Sequence, residues 1–134
     1  MSRLALVVDD SMLIRHTVCR FLEARGYAVQ AATNGAEAVE ILQSITPDLI
    51  VTDMEMPRMT GSELITWAKS DARTAGIPIV IVAGRQSGFE KTETRANYAI
   101  FKDIDIEQQL GRALDQLMGE PEPDEAAEGQ SAGR

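Results

Sequence analysis

The chain has 134 residues, 44% of them apolar, which suits one domain with a substantial core and leaves little room for a second. Thirteen basic against 21 acidic residues give a formal charge of -8 and argue against a nonspecific nucleic-acid binder, because attraction to phosphates needs local positive charge. A single cysteine, Cys19, rules out an internal disulfide, and no apolar run reaches the length of a signal peptide core or a membrane span.

Leu4 to Val8 reads as a first strand, closed by Asp9-Asp10. Ser11 is placed to cap the next helix, in which Ile14, Val18, Phe21 and Leu22 recur at the spacing of a stripe packed on a sheet. Cys19 falls in that helix as a small hydrophobe, His16 lies off the stripe and reads as solvated, and Gly26 supplies the stop. Tyr27 to Ala31 is a second strand candidate, and Asn34-Gly35 is a turn signal leading into a helix over Ala36 to Leu42. Leu49 to Thr52 is a third apolar run, ended by Asp53. After a loop over Glu55 to Thr60, a helix is expected near Ser62 to Lys69, with Leu64, Ile65 and Ala68 toward the sheet and Trp67 on its shoulder. Ile77 to Val82 is the strongest strand pattern, with Pro78 near its entrance, where a missing donor costs least. The turn-rich stretch Gly84 to Gly88 leaves a short, irregular fourth helix near Phe89 to Ala96. Tyr98 to Phe101 then forms a fifth strand, and Ile104 to Met118 an amphipathic helix. Residues 119–134 hold five acids, one Arg and no aliphatic larger than alanine, so a domain over 1–118 is expected to end in a flexible acidic tail.

Five strand candidates interleaved with helices, the most continuous of them apolar on both sides, predict a parallel sheet covered on both faces. Right-handed crossovers make this an α/β, three-layer doubly wound domain. In such sheets ligands gather beyond the carboxyl ends of the strands, where Asp9, Asp10 and Asp53 all stand. Taken singly, each is explained equally well by capping or loop solvation. Three at one mouth repel, push a pKa upward and call for a cation. Hard oxygen ligands with open positions suit Mg²⁺, and an aspartate left free as nucleophile suits metal-assisted phosphoryl transfer. Lys102, after the fifth strand, is placed to balance charge on a transferring phosphoryl group.

The segments Val7-Val8-Asp9-Asp10-Ser11, Asp48 to Gly61 with its Asp53-Met54-Glu55-Met56-Pro57-Arg58-Met59-Thr60-Gly61, Ile77 to Val82, and the isolated Lys102 together resemble the receiver (CheY-like) domains of two-component response regulators, over about residues 3 to 118. The resemblance implies a flavodoxin-like, five-stranded parallel sheet in the order 2-1-3-4-5. It implies Asp53 as the phosphoacceptor with Lys102 as its catalytic partner. Mg²⁺ would be held by Asp10, Asp53 and the backbone carbonyl of Glu55, with Asp9 contributing through water or by orienting the metal. Pro57 and Gly61 would shape the neighbouring loop. The donor would be a phosphohistidine on a histidine kinase or phosphotransfer protein, and hydrolysis of the aspartyl phosphate would reset the protein. Output would pass to a downstream protein partner in the cytoplasm, without direct nucleic-acid or membrane binding, from a stand-alone signalling domain rather than a multiple-turnover enzyme. Monomer and weak dimer both stay open.

The sequence departs from that pattern at the switch positions. Receivers usually carry Ser or Thr where this chain has Ala83, and a methyl group cannot donate to a phosphoryl oxygen. The aromatic position three before the lysine is Ala99; Tyr98 is adjacent, but a one-residue step in a strand reverses the face. Asp103 replaces the proline after the lysine and is expected to cap the last helix, with pairing to Lys102 or plain solvation as alternatives. Glu55 and Arg85 flank the acceptor as possible modulators, forming a gate across the mouth or an ordinary surface pair. Ser87 could replace the missing hydroxyl only if its loop folded back. Three competing functions share parts of this pattern: a phosphorylation-independent pseudo-receiver that binds protein, a Mg²⁺-dependent hydrolase of small phosphate esters, and a flavin-binding domain. The last is opposed by carboxylates where a phosphate-cradling loop would lie.

Overall fold

A computed structural model describes residues 3–119. The elements alternate in chain order: β1 (Arg3–Val8), α1 (Met12–Ala24), β2 (Tyr27–Ala32), α2 (Gly35–Leu42), β3 (Leu49–Asp53), α3 (Gly61–Lys69), β4 (Ile79–Ala83), α4 (Phe89–Thr92), β5 (Tyr98–Phe101) and α5 (Ile106–Met118). All strand pairs are parallel, and the sheet runs β2-β1-β3-β4-β5, as the resemblance implied.

The two-residue period of the strands sorts their apolar side chains into two cores. Leu6, Val8, Ile50, Ile79 and Ile81 pack against Ala38 and Leu42 of α2 and Leu64 and Ile65 of α3. Ala5, Val7, Leu49, Val51, Val80 and Val82 pack against Val18 and Leu22 of α1 and Leu110, Ala113 and Leu114 of α5. Each fully buried aliphatic among them, such as Leu6 or Ile50, contributes roughly 1.5–3 kcal/mol relative to exposure. This double-sided burial is why β3 and β4 show no polar alternation. It also fixes register, because a one-residue slip would exchange the two cores.

The starts of α1, α2, α3 and α5 are set by short polar side chains. Ser11 Oγ accepts from Ile14 N, as expected, and Thr60 and Glu63 form a reciprocal capping box at α3. Two expectations are corrected. Asn34-Gly35 is not a free turn: Asn34 Oδ1 accepts from Glu37 N at 2.9 Å and Gly35 is already helical. A side chain at Gly35 would meet Met59 at 2.7 Å, so glycine is needed there for close packing. At α5 the cap is Asp105, whose Oδ1 accepts from Gln108 N at 3.1 Å, while Asp103 is exposed and Ile104 lies outside the helix.

β4 begins at Ile79, two residues later than the apolar run, because Pro78 has no N–H for the ladder. Its carbonyl still accepts from Ile50 N at 3.0 Å. α4 is a single turn preceded by left-handed Gly88 with no side-chain cap, shorter than the span to Ala96 that the sequence suggested. Among the described residues no helix is long and apolar enough to cross a membrane. The tail expected over 119–134 lies, Gly119 apart, outside the described residues.

Candidate functional site

The register carries three carboxylates to one end of the sheet. Val8 pairs with Thr52 across β1 and β3, so the residues that follow, Asp9-Asp10 and Asp53, emerge side by side. Carboxylate oxygens of Asp9, Asp10 and Asp53 all lie within 4.8 Å of one another. Asp9 and Asp53 are buried, at 2% and 1% exposure, whereas Asp10 faces solvent.

Asp9 is held on three sides. Its N–H donates to Ala32 O at 3.1 Å, its Oδ1 accepts from Ser11 N at 2.8 Å, and its carbonyl accepts from Arg15 Nη1 at 2.9 Å. Burial pushes its carboxyl from 3.8 up to about 6; the Ser11 N–H and Lys102 oppose the shift, while Asp53 and Asp10 add to it. Arg15 was not singled out by the sequence pattern. Its only signal is a basic residue one turn into α1, off the apolar stripe.

Lys102 comes from the end of β5, where its N–H donates to Ala83 O at 3.0 Å. Its Nζ lies 2.9 Å from Asp53 Oδ1, which also accepts from Glu55 N at 3.4 Å. Burial raises the Asp53 carboxyl, while the Lys102 hydrogen bond and charge and the Glu55 and Met54 N–H groups pull it back. Burial by itself would lower the Lys102 ammonium, but Asp53, with Asp9 and Asp10 behind it, outweighs this and raises it.

One oxygen on each buried carboxylate, Asp9 Oδ2 and Asp53 Oδ2, has no hydrogen-bond partner. Two orphaned anionic oxygens beside an exposed third carboxylate form a donor set suited to a hard divalent cation. Asp9, Asp10 and Asp53 therefore fit Mg²⁺.

The loop after β3 is packed rather than loosely turned. Gly61 has no positive φ, and it shapes the loop through close packing. A Cβ there would lie 2.4 Å from Asp53 O and 2.8 Å from Met54 Cα. The left-handed residue of this loop is instead Arg58, at φ 72°. Pro57 is exposed, between buried Met56 and exposed Arg58.

Ala83 is buried in the core shared with α2 and α3, and Ala99 packs on the same side. Tyr98 faces the opposite core, as the strand alternation required, so no aromatic stands at the Ala99 position. Ser87 is occupied within its own turn, donating to Gly84 O at 2.8 Å and accepting from Phe89 N at 3.3 Å, and does not replace the missing hydroxyl. Glu55 and Arg85 are both exposed, and among the described residues no ion pair joins them; Arg85 shares a cleft with Gly84, Gln86 and Asp103. His16 is exposed beside Met12 and Leu13, apart from the carboxylates.

Comparison with known proteins agrees with this geometry. The family described as response regulator receiver domain matches residues 5–114. The response regulator MprA of Mycobacterium bovis is 33% identical over 131 residues, covering 96% of this chain and 56% of that protein. Its counterpart in Mycobacterium leprae is 32% identical over 126 residues, covering 92% and 54%. The chain thus spans about half the length of these curated relatives. Among solved structures, the chemotaxis response regulator CheY4 of Vibrio cholerae superposes with a TM-score of 0.79 at 28% identity, covering 87% of this chain and 98% of that one. With this match spanning nearly all of the described fold, the chain belongs to the response regulator receiver domains of two-component systems.

Proposed function

We propose that this chain accepts a phosphoryl group on Asp53 in a Mg²⁺-dependent reaction and signals through contacts with a protein partner. The observation that carries the reading is Lys102 Nζ at 2.9 Å from a buried Asp53 carboxylate that shares its mouth with Asp9 and Asp10. Mg²⁺ held by Asp9, Asp10 and Asp53, with the Glu55 backbone carbonyl as a further ligand, would supply charge neutralisation for the transferring group.

The chain's own residues supply the remaining parts. An Asp53 oxygen attacks phosphorus, the P–N bond of a phosphohistidine breaks, and the imidazole nitrogen leaves with the electron pair. The Lys102 ammonium is positioned to follow the negative charge from the carboxylate to the phosphoryl oxygens. Water attacking the same phosphorus would later break the P–O bond and restore the carboxylate. Receiver domains interact with histidine kinases or phosphotransfer proteins, and a partner of that kind in the cytoplasm is the donor this reading assigns. The receiver unit would run to about Met118, and Glu55 and Arg85 would modulate access of water to the acceptor.

With Mg²⁺ and a kinase or small phosphodonor, the protein is expected to gain one phosphoryl mass, and Asp53→Asn to gain none. A folded wild type that never labels would defeat the proposal. A second reading, a phosphorylation-independent binding module, is favoured by Ala83 and Ala99, which offer methyl groups at both switch positions. It predicts partner affinity unchanged by Asp53→Asn.

A further inference from the structure

The connection from β4 to β5 is fastened to α3 by a charged joint in which the Glu93 carboxylate is buried and the Arg95 guanidinium is partly exposed. Glu93 is 7% exposed although it lies in a short surface segment. Its Oε1 accepts from Ser62 Oγ at 2.9 Å and from Arg95 Nη2 at 3.0 Å, and its Oε2 accepts from Arg95 Nε at 2.8 Å. The same guanidinium donates to Thr66 Oγ1 at 2.6 Å and to Ser62 O at 3.3 Å. A carboxylate this deep is tolerated only when both oxygens are met by well-oriented donors. Here they are met, and the Arg95 hydrogen bond leads the interactions that hold the Glu93 carboxyl below its usual range.

The other side of the joint abuts the acceptor. Ser62 follows Gly61, whose Cα approaches Asp53 O so closely that no Cβ would fit, and Gly61 N donates to Met54 O at 3.0 Å. The first turn of α3 is therefore wedged between the backbone of Asp53 and the Glu93 carboxylate. Further along, Asn97 N donates to Ile79 O, and Asn97 Oδ1 accepts from Ile79 N, both at 2.8 Å, which anchors the end of the segment to β4. Along β4 and β5 themselves, positions 83 and 99 carry only methyl groups.

We propose that a change at Asp53 reaches residues 88–97 through the first turn of α3 and the Ser62–Glu93–Arg95 joint, rather than through side chains of β4 and β5. The inference rests on reading Asp53 as the acceptor. Close-packed backbone passes a small displacement on instead of absorbing it, and a bidentate Arg–carboxylate pair with a hydroxyl on one oxygen loses alignment steeply when one member shifts. A shift of α3 would thus open a joint that is closed in this arrangement.

Mg²⁺ with beryllofluoride, a stable mimic of the phosphoryl group, added to the full chain tests this by backbone amide spectra. Wild type is expected to shift at residues 54–62 and again at 88–97. Ser62→Ala and Glu93→Gln are expected to keep the shifts at 54–61 and lose most of those at 88–97, with the remaining amides reporting an intact fold. Shifts at 88–97 that persist at full amplitude in both variants overturn the inference. So does a wild type that responds at 54–62 and is silent at 88–97. Silence at 54–62 as well would defeat the acceptor reading and, with it, this one.

Discussion

Asp9→Asn tests whether the acidic mouth is electrostatically strained without metal. The substitution removes the charge that burial disfavours but keeps an oxygen for the Ser11 N–H, which lies 2.8 Å from Asp9 Oδ1. The Asp9 carboxyl is pushed from 3.8 up to about 6 in the folded protein, so its ionisation at neutral pH opposes folding. A shift of that size corresponds to at most about 3 kcal/mol. Because the folded pKa lies above the unfolded one, the native state binds more protons between those values. Metal-free wild type therefore loses this stability as pH rises through the window, and regains it as pH falls. In EDTA at pH 7.5, the variant is expected to unfold at higher urea and up to roughly 10 °C higher than wild type. At pH 4.5 the gain should largely vanish, since wild type then carries the proton. Excess Mg²⁺ should reverse the order, because only wild type gains the full binding term RT ln(1 + [Mg²⁺]/Kd). Equal stability changes at both pH values, or a destabilised variant in EDTA at pH 7.5, would refute this electrostatic reasoning.

Three other perturbations probe separate parts of the site. Gly61→Ala puts a methyl group 2.4 Å from Asp53 O, so urea titration should show a loss of about 2–3 kcal/mol even though the residue is helical and alanine is the better helix former. Lys102→Met leaves Asp53 Oδ1 without its ammonium partner; initial rates of phosphoryl uptake should fall on the order of 100-fold, while the spectrum of the folded state persists. Ala83→Ser restores a hydroxyl beside the acceptor, and a charge-assisted hydrogen bond of roughly 1.5–3 kcal/mol in the transition state should speed uptake on the order of 10- to 100-fold, read from single-turnover labelling. An unchanged rate in Ala83→Ser would mean that other donors already satisfy the phosphoryl oxygens.

Much of the fold was legible because its signals are local or periodic. The Ile14, Val18, Phe21, Leu22 stripe marks α1, and unbroken apolar runs mark β3 and β4, since both of their faces are covered. The acidic cluster was equally legible, because strand-end aspartates of a parallel sheet must emerge at one edge. What failed were choices among neighbouring polar residues. Asp103 and Asp105 are both able caps, and only the path of the chain after β5 selects Asp105. Gly35 looked like a turn residue, yet it is required by the approach of Met59 from the loop after β3, which no local pattern records, and Gly61 is required by its closeness to the Asp53 backbone. The Ser62–Glu93–Arg95 joint spans some thirty residues of sequence and joins ordinary surface types, so nothing before folding distinguishes it from solvated charge. Arg15 was hidden for another reason: its target is a backbone carbonyl, that of Asp9, which no side-chain pattern marks.

If Asp53 is the acceptor, the phosphoryl group is chemically locatable on it. Borohydride reduction of the labelled protein converts an aspartyl phosphate to homoserine, and peptide sequencing by mass spectrometry then locates it. Homoserine is expected at position 53, dependent on Mg²⁺ during labelling. Homoserine at Asp9 or Asp10, or label that survives on His16, would contradict it.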